Sequence, residues 1–378
     1  MAHAYTPGLR VAERTVIRKR RILPIPGDLL VHQGDSVRAE TIVACTNLPG
    51  KVQTVNVVNI LGITPAEIHG FMTKREGDSV RRGETLAENH PFIRWFKTTV
   101  PSPVDGTVES ISTVTGQVLL REPPRSLDLS AYVDGRVVEV VENEGVVVET
   151  VATFIQGIFG LGGETTGPLA VVVDAPDEVL TSDRLREDHR GKIVVGGSFA
   201  GSDTFRMAKD IGVKGLIVGG SNDQDLRDLL GYDLGVAITG TEQIGFTLIV
   251  SEGFGGIPMA DRTFRLLKMM EGRRTSISGA TQIRAGVIRP EVIIPETGAV
   301  SGSYDETVQP VAERGAMQEG DIVRVIRPPH FGRIGTVTSL PPDLVQIPTE
   351  SYARILEVKF QDGEVAVVPR ANVEIMEE

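Results

Sequence analysis

The sequence predicts a β-rich α+β protein built from several domains. Three observations carry this expectation. Glycine (42) and proline (22) are abundant in the 378 residues while aromatics make up 5%, a profile that suits many short strands joined by tight turns. GDSVRAETIVA at 34–44 returns as GDSVRRGETLA at 77–87, and repeated strand–turn units argue for a sandwich or barrel. From about residue 180 to 296, apolar runs ending in glycine alternate with helical stretches, the pattern of a largely parallel α/β layer.

The elements follow in chain order. Residues 1–21 read as an N-terminal arm with a basic run, Arg18, Lys19, Arg20 and Arg21. Such a run is a solvated arm, a contact for an anionic partner, or a clasp on a neighbouring subunit. Residues 22–150 hold the GDSV repeat and a second pair, VDGTVESI from Val104 and VDGRVVEV from Val133. Each VDG sets a glycine turn before alternating apolar residues, which is hairpin chemistry. Residues 151–178 read as a connector. Its FIQGIFGLGG run offers Phe154, Ile158, Phe159 and Leu161 as an apolar loop suited to subunit contact. It has no Walker pattern and fits no dinucleotide fingerprint.

Residues 179–296 form the α/β unit. Strands are expected at 192–197, 215–220, 235–239 and 246–251, with helices at 202–212, 223–230 and 259–270. Residues 297–310 are polar and turn-rich, a linker. The terminal domain is 311–378. It begins with EGDIVRVIRPPHFGRIGTVTSLP at 319–341 and closes with two alternating strands around Gln361-Asp362-Gly363, a hairpin signal.

Bulk properties bound the function. Net charge is −11, so contact with nucleic acid or anionic lipid would need a local basic patch. Cys45 is alone. This excludes an internal disulfide and a cysteine-based zinc or iron–sulfur site within one chain, and its apolar context reads as a small buried hydrophobe. No stretch approaches the about eighteen apolar residues of a membrane span, and the first residues lack a signal-peptide core. A cytoplasmic protein is expected. The histidines (His3, His32, His69, His90, His189, His330) are scattered, and no metal site or cofactor is expected.

Resemblances sharpen the domain expectations. PIPG at 24–27, the GDSV…TLAEN run and SPVDGTVESISTVTGQVLLREP at 102–123 resemble a barrel-sandwich hybrid, the fold of biotinyl and lipoyl carriers and of the C subunit of the Rnf complex. Those carriers hold their cofactor on a lysine in a Met-Lys-Met or Asp-Lys-Ala context. Lys51, Lys74 and Lys97 stand in other contexts, so the resemblance implies the fold without the prosthetic group. GKIVVGGSFAGSDTFRMAKDIGVKGLIVGG at 191–220 is similar to swivelling β/β/α domains, which mostly bind or position things. The 319–341 segment resembles the KOW motif of SH3-like barrels.

Two sites are expected. An α/β layer takes ligands beyond the carboxyl ends of its strands. There the crevice would be lined by Ser198, Gly219, Gly220, Ser221, Asn222, Thr239, Glu242, Ser251 and Glu252. Glycines admit a ligand to the backbone, and Glu242 with Glu252 would make a carboxylate pair for acid–base work or a hard cation. In the terminal domain Arg324, Arg327, His330, Phe331 and Arg333 crowd one strand–turn unit, where arginines would take phosphates or a protein partner and the aromatic would stack.

The function expected is a non-catalytic interaction or scaffold protein that forms a homo-oligomer or joins a larger protein complex. One alternative is a nucleic-acid-associated factor acting through the terminal domain. The other is an enzyme or ligand sensor using the middle crevice.

Overall fold

In each repeat the same glycine–aspartate turn opens the first hairpin. The computed structural model describes residues 9–89, 97–232, 242, 244–281, 288–296, 317–325, 329–330, 333–341, 344–346, 352–360 and 362–376. Gly34 and Gly77 sit at φ 96° and 90°, a left-handed conformation that glycine adopts without steric cost. The Asp35 carboxylate accepts the His32 N–H at 2.8 Å, and Asp78 accepts that of Arg75 at 2.7 Å. Gly34 N–H donates to Val137 O at 2.7 Å and Gly77 N–H to Val108 O at 2.8 Å. The two valines return their own N–H groups to Asp35 O and Asp78 O, both at 2.9 Å. Asp134 and Asp105, the aspartates of the VDG pair, accept the N–H of Ala39 and Arg82, each at 2.8 Å.

These turns organise strands β1 (Val11–Ile22), β2 (Asp28–Leu29), β3 (Ser36–Val37), β4 (Ile42–Leu48) and β5 (Val52–Asn56), then helices α1 (Val57–Leu61) and α2 (Ile68–Phe71). Strands β6 (Ser79–Val80), β7 (Thr85–Glu88), β8 (Thr99–Pro101), β9 (Gly106–Ile111), β10 (Gln117–Arg121), β11 (Arg125–Ser130), β12 (Gly135–Val141) and β13 (Gly145–Gln156) follow. One repeat is nested inside the other. In the outer unit β3 pairs with β12, Val37 opposite Gly135, and β4 pairs with β11. In the nested unit β6 pairs with β9, Val80 opposite Gly106, and β7 pairs with β8. The bulge recurs at the same place, Ser130 opposite Ile42 and Leu129 opposite Ala44, then Pro101 opposite Thr85 and Val100 opposite Ala87. The chain leaves the outer unit along β4, enters the nested one along β5 and returns along β10 and β11. Alternation buries Val118 and Leu120 of β10, and the nested unit has its own core with Ile68, Leu86 and Val108.

The central layer adds β14 (Phe159–Leu161), β15 (Glu164–Val171), β16 (Ile193–Val195), α3 (Ser202–Ile211), β17 (Gly215–Ser221), α4 (Asp223–Leu230), β18 (Thr247–Phe254), α5 (Asp261–Met269), β19 (Arg274–Ser278) and β20 (Glu291–Pro295). Strands β15 to β18 are parallel, and β16, β17 and β18 are buried on both faces, as near-continuous apolar runs require. Helices α3 and α4 stop at Gly212 and Gly231, both left-handed, the usual glycine C-cap. The eleven-stranded sheet runs β14-β18-β17-β16-β15-β19-β20-β13-β12-β3, with β1 alongside β13.

Three expectations about this region are corrected. Residues 11–21 are not an arm, because β1 pairs along its length with β13. Its apolar residues need a neighbour to cover them, and Ile17 packs on the core of the outer unit. The boundary at 150 falls inside β13, so the first and middle regions share one sheet. The connector at 151–178 is largely strand, and Phe154, Phe159 and Leu161 are buried with Ile158 packed beside them. The linker at 297–310 and the strand expected at 235–239 lie outside the described residues.

The terminal sheet comprises β21 (Ile322–Val325), β22 (Ile334–Ser339), β23 (Leu344–Gln346), β24 (Tyr352–Phe360), β25 (Val365–Pro369) and β26 (Val373–Met376). Its order is β23-β24-β22-β21-β26, with β25 also on β24. The glycine–aspartate turn appears here a third time. Gly320 sits at φ 96°, and Asp321 accepts the Gln318 N–H at 2.7 Å. Gly320 N–H donates to Val337 O, and Val337 N–H to Asp321 O, both at 2.8 Å. Among the described residues, no helix is long and apolar enough to cross a membrane.

Candidate functional site

The fold brings Ser198, Gly219, Gly220, Ser221, Asn222, Ser251 and Glu252 to the carboxyl ends of β16, β17 and β18. The parallel register sets these ends side by side. Thr239 lies outside the described residues. Glu242 is partly buried, and its carbonyl accepts the Ile244 N–H at 3.1 Å. Among the described residues no group of His, Cys, Asp or Glu could hold a metal ion.

The three serine hydroxyls and the Glu252 carboxylate at these ends are engaged by the chain itself. A Cβ on Gly197, Gly219 or Gly220 would run into the carbonyl oxygens of Glu178, Ile257 and Gly255, so the glycines admit neighbouring backbone. Ser198 Oγ donates to Asp177 O at 2.8 Å, Ser221 Oγ to Ala200 O at 3.1 Å and Ser251 Oγ to Val218 O at 3.3 Å. The helix starts, which would suit an anion, already hold carboxylates. Asp225 accepts both the N–H of Ser202 at 3.0 Å and its hydroxyl at 2.6 Å, at the start of α3. Glu252 accepts the Ala260 N–H at 3.0 Å, at the start of α5. Asn222 occupies the N-cap position of α4 and is exposed.

The basic turn of the terminal sheet is divided between two environments. Arg324 pairs with the Glu252 carboxylate, and both residues are buried. Arg333 donates to Asp362 at 2.6 Å and to Glu364 at 2.7 Å. Its guanidinium lies 3.8 Å from the centre of the Phe360 ring, a cation–π geometry. The His330 ring packs 5.2 Å from the same ring. Arg327 and Phe331 lie outside the described residues. The charges of Arg324 and Arg333 thus meet carboxylates of this chain.

The basic run of β1 is likewise engaged inside the molecule. Arg18 pairs with Glu149 at 2.6 Å, Lys19 with Glu291 at 2.6 Å, and Arg21 with Glu164 through two bonds of 2.7 Å. Arg20 is exposed. Glu164 opens β15, which lies four steps from β1 along β13-β20-β19-β15, so the Arg21 pair requires the sheet to curl.

Sequence reasoning missed Tyr132, on which this seam converges. Its φ of 71° is a left-handed conformation that a bulky side chain rarely adopts. Ser276 Oγ donates to its carbonyl at 2.6 Å, and the Arg21 guanidinium lies 5.3 Å from its ring centre. Burial first, then the Glu291 and Glu164 carboxylates, push its phenol well above the ordinary value. The hydroxyl has no partner of normal hydrogen-bond geometry among the described residues, so Glu291 acts on it through its charge. A signal was present in the repeat: SAYVDG of the outer unit stands where the nested unit has PSPVDG, placing Tyr132 opposite Pro103.

No protein-family model matches the chain, and no curated protein sequence does.

Proposed function

We propose that this chain is a non-catalytic interaction protein that self-assembles or joins a larger protein complex through β-rich modules. One observation carries the reading. Where an α/β layer takes its ligand, the described hydroxyls, the Asp225 and Glu252 carboxylates and the glycine faces are engaged by the chain's own backbone and side chains. Such an arrangement stabilises a module; it does not present reactive groups to a substrate. In support, the nested unit and the terminal sheet each have a separate hydrophobic core, as modules with their own surfaces do. In this reading the nested pair of units is a barrel-sandwich hybrid, the middle layer a swivelling-type domain and the terminal sheet an SH3-like barrel.

The test is the native mass of the full chain by size exclusion with light scattering, with absorbance at 260 and 280 nm. A homogeneous particle of several chains, or a stable complex with another protein, is the expected outcome. A bare monomer that retains no partner overturns the reading. Co-purified nucleic acid would return the function to the terminal sheet, where Arg324 and Arg333 would have to leave their carboxylates to meet phosphate.

A further inference from the structure

Strand alternation should leave Arg324 in water. Val323 and Val325 point into the core of the terminal sheet, so Arg324 between them projects outward. It is nevertheless 9% exposed, and its partner Glu252 is 8% exposed. The outer face of β21 is therefore covered by the α/β layer, at the carboxyl end of β18. Among the described residues, one charge meets another there, with Glu252 also holding the start of α5.

The buried cores point the same way. The core of the terminal sheet and the core of the middle layer are separate clusters of buried residues. The terminal sheet thus keeps its own core if the two part. A buried ion pair gains little net stability, because desolvation offsets most of the attraction, yet it is specific because an unpaired buried charge is costly. Interfaces of this polar kind between domains permit relative motion.

We propose that the terminal sheet is a docked cap, held over the carboxyl ends of the parallel strands by the Arg324–Glu252 pair. The cap exchanges between a closed state, in which Arg324 is masked, and an open state, in which Arg324 and Glu252 face solvent. Closure is autoinhibitory for any anionic partner of the β21 face. Such a partner opens the cap only by as much as it prefers the open state. The device operates whether or not copies of the chain assemble.

The test uses the full chain, its radius of gyration by small-angle scattering, and its melting curve. A compact chain of this length has a radius of ~21 Å. Arg324→Glu is expected to raise the radius by several ångströms while the main melting transition stays in place. The double variant Glu252→Arg with Arg324→Glu is expected to return the radius to that of the parent. An unchanged radius in Arg324→Glu, or an expanded double variant, overturns the proposal. Should Arg324→Glu unfold its own sheet, Glu252→Gln reads the contact from the other side, since its amide oxygen can still accept the Ala260 N–H. Expansion at an unchanged melting temperature then supports the cap, and a parental radius overturns it.

Discussion

The outer and nested units share one set of turns and differ in what stands outside it. Both close a left-handed glycine with an aspartate three residues after the N–H it accepts, and both place a buried valine against that turn. The outer unit carries Tyr132, gripped by Ser276 and covered by Arg21, and its β12 and β13 continue into the large sheet. The nested unit carries Pro103 at that place, and its strands β5, β6, β9 and β10 form a sheet of their own. A turn whose hydrogen bonds close within a few residues is a local property and survives duplication. Docking depends on side chains at other positions, which the two copies do not share.

The largest expected effect tests whether the copies are energetically separate. A Cβ on Gly135 would run into Glu149 O, and one on Gly106 into Arg121 O. Each alanine variant is expected to cost about 3 kcal/mol, in the range of backbone-clash substitutions. Hydrogen exchange separates them: Gly106→Ala should expose amides of the nested unit alone, while Gly135→Ala should also weaken β13. Equal loss in β13 from both would break the comparison.

Next is the seam only the outer unit has. Arg21→Met strips Glu164 of both bonds and Tyr132 of its cation. Because the Glu164 side chain is 39% exposed, water replaces part of the loss, and about 1–2 kcal/mol is expected. Urea unfolding measures it, and protection in the nested unit should not change. A loss reported equally by nested amides would show that the seam supports both units.

Removing the turn carboxylate should cost about 1 kcal/mol at each of its three occurrences, the usual net worth of one hydrogen bond. Asp35→Ala, Asp78→Ala and Asp321→Ala are thus expected to be equivalent in size, each read by exchange in its own module. Strongly unequal values would mean that surroundings, and not the turn, set its stability.

The smallest effect at neutral pH is that of Tyr132→Phe, within about 1 kcal/mol, because the deleted hydroxyl had no formed hydrogen bond to lose. Its signature is in alkali. The folded phenol is held well above its ordinary value of 10.0, so the folded chain keeps a proton that the unfolded chain releases. Stability is therefore present below pH 10 and lost as pH rises beyond it, at about 1.4 kcal/mol per pH unit. Urea midpoints between about pH 9 and 11 should fall more steeply for the parent than for Tyr132→Phe. Parallel curves would mean that Tyr132 is not buried as described.

Much of the fold was legible because its signals are local. The repeat announced the turns, the helical stretches at 202–212 and 223–230 announced α3 and α4, and apolar runs announced the parallel strands. The site was less legible. Glycines at 197, 219 and 220 read equally well as room for a ligand or for backbone, and only the loops that return over them decide. The basic run at 18–21 looked solvated because its carboxylates lie more than a hundred residues away.

By itself the sequence determined a strand-rich chain, the glycine–aspartate turns and the helices of the middle layer. Each depends on bonds between near neighbours, or on a period that one segment carries alone. Tertiary structure decided that one unit is nested in the other, that β1 belongs to the central sheet, and that Arg324 is buried against Glu252. Alternation specifies which way a side chain points. Whether water or another domain meets it depends on surfaces brought together from distant parts of the chain.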